Sequence, residues 1–316
     1  MWEYSRRGFT GLILALLLPS RRMGSRALLF KPTPSPQTTP SISEAGSSTS
    51  RATVRRYRAD AVVLFLGISL YRRAGVGGGQ ISIEETGEGA QMRRTLFFAA
   101  GSDPKRAHGL RRLGWIREVA LGSGPSPSEV DYFGVLTSSP EESLEHARQS
   151  IAGPQSGRSL YSAVNGRNTA GHTRSAVTHF EFTAEALWSD HSLIDQAQST
   201  FHGNVAWRET SWPNSLNHAP PTFLFELASL LKQPARHAVG RYVYSEQEYL
   251  LELEASQQGD PREHLRAVRG RVRNQRTGHQ TAFRLWIENT PDSIVPVRIE
   301  FQPRSFLRLT FEGLPA

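Results

Sequence analysis

The sequence predicts a mainly β protein: a curved antiparallel sheet, closed or half closed around a core, with two short helices. Three observations predict it. From Val239 onward, apolar and charged residues alternate with a period of two in four successive runs, as strands with one buried face do. Between Tyr57 and Thr137, further short apolar runs follow one another with Gly, Pro or Ser between them, the order of a meander. Helical patterns are confined to two stretches, so no layered alternation of strand and helix is in view.

The first residues address the chain. Ser5-Arg6-Arg7-Gly8-Phe9 precedes the apolar run Leu12 to Leu18, and small residues follow, which together make a secretory leader over residues 1–27, cut after Ala27. Ser5, Arg6, Arg7 and Phe9 resemble the twin-arginine signal class, whereas Thr10-Gly11 depart from its pattern. Arg21, Arg22 and Arg26 follow the apolar run, where positive charge disfavours the ordinary secretory route. The competing readings are that ordinary leader and a short anchor, since a spanning helix needs about 20 apolar residues. The expectation is a periplasmic or cell-envelope protein, handled during export by the twin-arginine or secretory translocase.

Residues 28–56 read as a disordered tether: 31 to 53 are rich in Pro, Ser and Thr and hold too little apolar surface to offset the entropy of ordering. The formal net charge of the chain is +8, but residues 1–56 contribute nine basic and two acidic groups, leaving the body near neutrality. A domain-wide basic face for phosphate backbones is therefore absent, and no nucleic-acid partner is expected. The chain has no Cys, which excludes disulfides, thiolate nucleophiles, zinc–thiolate sites and a lipid-anchoring cysteine. An exported chain of this kind must hold its shape by core alone, and about 260 residues suffice for that.

The body, 57–316, divides in this reading into 57–152 and 177–316, separated by a flexible Gly/Ser/Asn/Arg-rich loop over 153–176. Tyr57 to Leu70 opens it, with a buried strand over Ala61 to Leu66; Gly75 to Gly79 then turns the chain into the alternating strand Gln80 to Glu84. Thr95–Ala100, Trp115–Leu121 and Val130–Thr137 read as three more strands. Ser139-Pro140-Glu141-Glu142 supplies an N-cap, a first-turn proline and a capping-box glutamate, predicting a helix over 140–152. Strands follow at Val177–Thr183 and Val205–Thr210, and a helix over Thr222–Lys232 lies between Pro221 and Pro234. In the closing strands, Leu251, Leu285, Val297, Ile299 and Leu309 are expected to face inward.

The closing block Leu285-Trp286-Ile287-Glu288, a turn with Pro291-Asp292, and Val295-Pro296-Val297-Arg298-Ile299-Glu300-Phe301 resembles the final hairpin of the bacterial domain-of-unknown-function family 3108. The likeness is specific over about 30 residues and looser over 238–316. It implies an envelope-associated protein built on a half-open β-barrel similar to lipoprotein carriers, with no assigned activity.

Candidate chemistry is thin. Ser102 and Lys105 match the S-x-x-K of penicillin-recognising serine enzymes, with Ser215-Leu216-Asn217 and Arg276-Thr277-Gly278 downstream; the third element begins with Arg, and no helix follows the serine. His172, His179, His191, His202 and His218 fall near Glu181, Asp190 and Asp195, none with the spacing of a metal pair, so no metal or other cofactor is expected. Gly75 to Gly79 fails the dinucleotide fingerprint. Arg269, Arg271 and Arg273 line one face of a strand and, with Trp286, form the candidate ligand site: either a head-group site at the rim of a concavity or a solvated face paired with Glu252, Glu254, Glu288 and Glu300. Trp188, Trp207, Trp212 and Trp286 line a cleft or complete a core. The pattern points to a non-catalytic protein that binds a lipid or other amphipathic small molecule; the alternatives are an exported hydrolase and a surface interaction module.

Overall fold

The computed structural model describes residues 51–65, 68–107, 111–122, 127–137, 159–182, 187–212, 218–233, 235–244, 246–256, 264–290, 293–304 and 307–315. The expected leader, most of the tether and the 140–152 helix lie outside these residues. Within them the chain forms one antiparallel sheet of fourteen strands, not closed into a barrel.

The chain enters at the middle of the sheet. β1 (Arg51–Phe65), β2 (Ile68–Thr86), β3 (Arg93–Ser102), β4 (Leu113–Leu121), β5 (Glu129–Thr137), β6 (Ser159–Thr169), β7 (His172–Phe182) and β8 (Arg208–Ser211) run outward to one edge. β9 (His237–Tyr244) starts the other edge, and β10 (Gln247–Ser256), β11 (Leu265–Asn274), β12 (Gln280–Glu288), β13 (Arg298–Arg304) and β14 (Leu307–Gly313) run back until β14 pairs with β1. The register Tyr57↔Gly313 to Val63↔Leu307 stitches the two ends of the domain together. Helix α1 (His191–Ser199) covers the outer face of the first half, and α2 (Phe223–Lys232) lies in the connection between the two edges.

The sheet curls until its inner faces meet. Ile116, Tyr132, Leu136 and Val164 of β4 to β6 share a core with Tyr242, Tyr244, Tyr249 and Leu251 of β9 and β10. The Tyr132 and Tyr244 rings lie 4.5 Å apart, although their strands are far apart in the sheet order. Side chains bridge the two edges: Asn168 on β6 donates to the carbonyl of Pro220 at 3.0 Å, and Arg208 pairs with Glu246 at 3.3 Å. On the other face of β5 and β6, Phe133, Val135, Tyr161 and Ala163 pack under Leu193, Ile194 and Ala197 of α1. β5 is therefore buried on both faces, which is why Val130 to Thr137 reads as an almost continuous apolar run.

Several boundaries differ from expectation, each for a physical reason. β1 begins at Arg51, inside the expected tether, because residues 51–56 pair with Ile81 to Glu85 and their neighbours on β2. Gly75 to Gly79 is not a turn: it sits within β2, where three residues bulge between the pairs Ala59↔Gly77 and Ala61↔Arg73. Gly75 adopts φ +63 there, and its N–H donates to buried Asp60 at 2.8 Å. Much of the loop expected over 153–176 is the β6–β7 hairpin, its polar residues occupying the β ladder from Ser159↔Phe182 to Thr169↔His172. The α2 helix falls where expected, whereas α1 starts on Asp190, whose carboxylate accepts from the Ser192 N–H at 3.0 Å. Leu251, Leu285 and Ile299 are buried; Val297, which precedes β13, and Leu309 are half-buried.

Candidate functional site: an apolar cavity in the concave face

The concave face contains a void because its floor is built of residues too small to fill it. Ala59 and Ala61 of β1, Gly77 of β2 and Ala100 and Gly101 of β3 line it with no side chain beyond a methyl group. Phe301, Leu307, Leu309 and Phe311 of β13 and β14 form one side; Leu113 and Leu136 of β4 and β5 form the other. The cavity measures ≈ 320 Å³, within the range of small-molecule sites.

Among its polar groups, the Ser102 hydroxyl accepts from the Arg112 N–H at 2.8 Å and Thr137 Oγ1 accepts from the Leu113 N–H at 2.7 Å, so these two hydroxyls serve the backbone. Arg73 and Arg112 supply guanidinium groups of the lining, which among the described residues contains no carboxylate and no imidazole. A smaller void of ≈ 70 Å³ lies under Leu224, Leu227 and Leu231 of α2; Phe98 and Ile299 border both spaces and form the partition.

Helix α2 covers one end of the concavity and is held from both halves of the sheet. Glu118 of β4, fully buried, accepts from Thr222 Oγ1 at 2.5 Å, from the Leu224 and Phe225 N–H groups at 3.1 Å, and from Tyr244 Oη at 3.2 Å. A carboxylate thus occupies the positive end of the helix, where unpaired N–H groups point. At the other end Arg266 of β11 donates to the Leu231 carbonyl at 2.5 Å. Burial pushes the Glu118 carboxyl up to about 7, against the pull of its four donors. Glu226, on α2 over Gly240, is also pushed up to about 7 by burial, against a backbone hydrogen bond from Arg241. Sequence reasoning missed Glu118; its signal was a lone acidic residue inside the apolar run Trp115 to Leu121.

The predicted arginine row lies elsewhere. Alternation places Arg269, Arg271 and Arg273 on the face opposite Val268 and Val272, so they line the outside of the sheet and not the rim of the apolar cavity. Arg269 and Arg271 border a polar depression of ≈ 500 Å³ with Glu252, Glu254, Arg284 and Glu300; Arg273 is not among its lining residues. Arg271 stands 3.7 Å from Glu252, the pairing expected of a solvated strand face. Trp286 is on the same outer face, with the Arg298 guanidinium 4.7 Å and that of Arg284 5.5 Å from its ring centre.

The other candidates are accounted for by local structure. Lys105 is exposed, Ser215 and Asn217 lie outside the described residues, and Arg276 to Gly278 form the β11–β12 turn, five strands from β3 in the sheet. His179 Nδ1 lies 3.0 Å from Ser162 Oγ and His172 Nδ1 3.2 Å from Ser211 Oγ; burial lowers the pKa of His179. Among the described residues no three His, Asp or Glu side chains come together as metal ligands. Trp188 covers Gly78, Trp207 lies under Arg174 at 4.9 Å, and Trp212 donates to Thr173 at 2.8 Å; these three pack outside the cavity.

Fold and site together define an all-antiparallel, single-sheet β protein with an apolar concavity that a helix covers at one end. Comparison with protein-family models, with characterised proteins and with solved structures gave no match to this chain.

Proposed function

We propose that this chain is an exported bacterial envelope protein that binds an apolar or amphipathic small molecule in its concave cavity. The observation that carries the reading is the cavity itself: an apolar space with room for on the order of ten non-hydrogen atoms and two guanidinium groups in its lining. An acyl segment or a compact terpenoid fits that chemistry. The expected leader and the likeness of the closing hairpin to family 3108 support the envelope address. Binding is favoured over hydrolysis because the Ser102 and Thr137 hydroxyls are committed to backbone and, among the described residues, no carboxylate or imidazole lines the cavity with them.

Filling the cavity tests the reading. Ala61→Phe projects a ring into the existing space, so it should weaken binding of a fluorescent medium-chain fatty acid at least tenfold while the melting temperature holds or rises. Wild-type affinity in that variant, or no binding by the wild type, would overturn the proposal. The address is tested by replacing Arg6 and Arg7 with Lys in a bacterial host: the expected result is loss of the mature form from the periplasmic fraction, and full yield there rules out the twin-arginine route.

A further inference from the structure

β1 and β2 run on past the rest of the sheet as a two-stranded arm. β14 accompanies β1 only as far as Val63↔Leu307, and β3 joins β2 only from Gly77, so among the described residues Ile68 to Arg73 have β1 as their one strand partner. The side chains there are apolar and exposed: Ile68 67%, Leu70 65%, Tyr71 58% and Val63 37%. An isolated apolar side chain on a surface requires no explanation, but four on one projecting hairpin do.

Their distribution over the arm identifies the medium that covers them. Val63 and its cross-strand partner Tyr71 point to one face and line the cavity, and Ile68, opposite Phe65, shares that face, whereas Leu70 is the extra residue of a bulge and stands beside Ser69 on the Leu64 side. A protein docking on the arm would cover one face; a lipid interface surrounds both. The charge around the arm agrees. Segments 60–76 and 103–112, which meet where the Asp103 N–H donates to the Val76 carbonyl, carry Arg72, Arg73, Lys105, Arg106, Arg111 and Arg112 against Asp60 and Asp103. Basic residues beside a small apolar insert form the two-part signal that holds a protein at an anionic membrane surface.

We propose that this end of the molecule docks on an anionic bilayer, with the β1–β2 arm entering the interfacial layer and the Val63 and Tyr71 side of the cavity turned toward lipid. The proposal rests on the reading of the cavity as an amphiphile site and gives that site a route for its ligand: Val63 and Tyr71 belong both to the inserted arm and to the cavity lining.

The absence of Cys makes a clean test possible, since one introduced thiol labels a single place. Ser69→Cys on the arm and Gln91→Cys in the β2–β3 turn at the other end of the sheet are each coupled to an environment-sensitive fluorophore in the full chain. With vesicles containing phosphatidylglycerol, the label at position 69 should shift to the blue and that at 91 should not; with phosphatidylcholine alone both should stay silent. Ile68→Ser with Leu70→Ser, or Lys105→Gln with Arg106→Gln, should each weaken vesicle binding at least tenfold. The leader is common to all variants, so differences between them report the arm. No shift at position 69, an equal shift with neutral vesicles, or a shift without lipid that accompanies a doubling of mass would overturn the docking. Fatty-acid binding in solution is measured separately: if it persists in the Ile68/Leu70 variant without any response at position 69, the docking is wrong and the cavity reading stands. A response at 69 without fatty-acid binding supports docking and removes the cavity reading.

Discussion

Glu118 shows how much one side chain can be asked to do. Its carboxylate satisfies the N-terminal donors of α2 and the Tyr244 hydroxyl at once, so Glu118→Ala would leave several buried donors without an acceptor and should cost about 3 kcal/mol or more. Glu118→Gln keeps the shape but turns an amide donor toward other donors, and should cost less than the alanine. The raised pKa gives a second, independent readout. An unfolded Glu ionises near its ordinary value while the folded one keeps its proton up to about 7, so between those values the folded state binds more protons and stability falls as pH rises. The contribution is complete below the unfolded pKa and lost as pH passes about 7. Urea melts at pH 5 and pH 8 should show this slope in the wild type and a shallower one in Glu118→Gln, the remainder being the sum of Glu226 and the opposing contribution of His179, whose lowered pKa makes stability rise with pH. Gly166 makes the complementary case for a missing side chain. A Cβ there would come within 2.2 Å of the Tyr132 ring, so Gly166→Ala must push that ring off Tyr244 and should lower stability by about 1–3 kcal/mol.

At the scale of elements, the partition between the two voids is the most informative place to cut. Phe98→Ala would join the ≈ 320 Å³ and ≈ 70 Å³ spaces into one cavity reaching under α2. It should cost about 3–5 kcal/mol and shift the preference of the site toward longer acyl chains, read by titrating fatty acids of increasing length. Unchanged chain-length preference would mean that the ligand does not reach Phe98. The strands around this cavity were legible where one face was charged, as in Tyr249 to Glu254 and Phe283 to Glu288, because alternation needs contrast. They were misread where glycine or polar residues carry the ladder. Gly75 to Gly79 has turn composition, yet Gly77 to Gly79 pair on both sides and a buried Asp60 holds the bulge before them. Ser159 to Thr169 is nearly all small or polar, and its partners on β5 and β7, not its own pattern, make it a strand. The cavity was illegible for a related reason. Ala59, Ala61 and Ala100 look like ordinary strand residues until the curl of the sheet shows what they fail to fill. The arginine row, by contrast, was read from its own strand correctly as a charged face; which side of the curved sheet carries the cavity depends on strands far away in sequence.

The whole molecule follows from one topological decision, the entry of the chain at the centre of its own sheet. Because β1 pairs with both β2 and β14, neither half can complete its central strand without the other. The core agrees, since Tyr57, Ile116, Tyr132 and Val164 from the first half share one cluster with Tyr242, Leu251, Leu285 and Ile299 from the second. Glu118 and Arg266 add a third tie, holding the two ends of α2 from opposite halves. The two sub-parts that the polar stretch near residue 160 suggests should therefore not unfold separately. Urea unfolding followed by far-ultraviolet circular dichroism, which reports all strands, and by tryptophan fluorescence, which reports mainly Trp115, Trp188, Trp207 and Trp212 in the first half of the sheet and its flank, should give coincident transitions. Deleting β14 should abolish folding of the whole chain and not merely trim its end, because it removes the partner of β1 together with Leu307, Leu309 and Phe311 from the cavity wall. Two separated transitions, or a stable first half after that deletion, would show that the seam between β1 and β14 joins two independent domains and that the cavity is an interface between them. Long-range pairing of this kind also delays the reward for closing the chain, since β1 waits for the last strand to be made. Refolding should accordingly be slow for the protein's size, and Leu309→Ala should slow it less than it speeds unfolding if the β1–β14 seam forms after the folding barrier, which chevron plots of the two proteins would resolve.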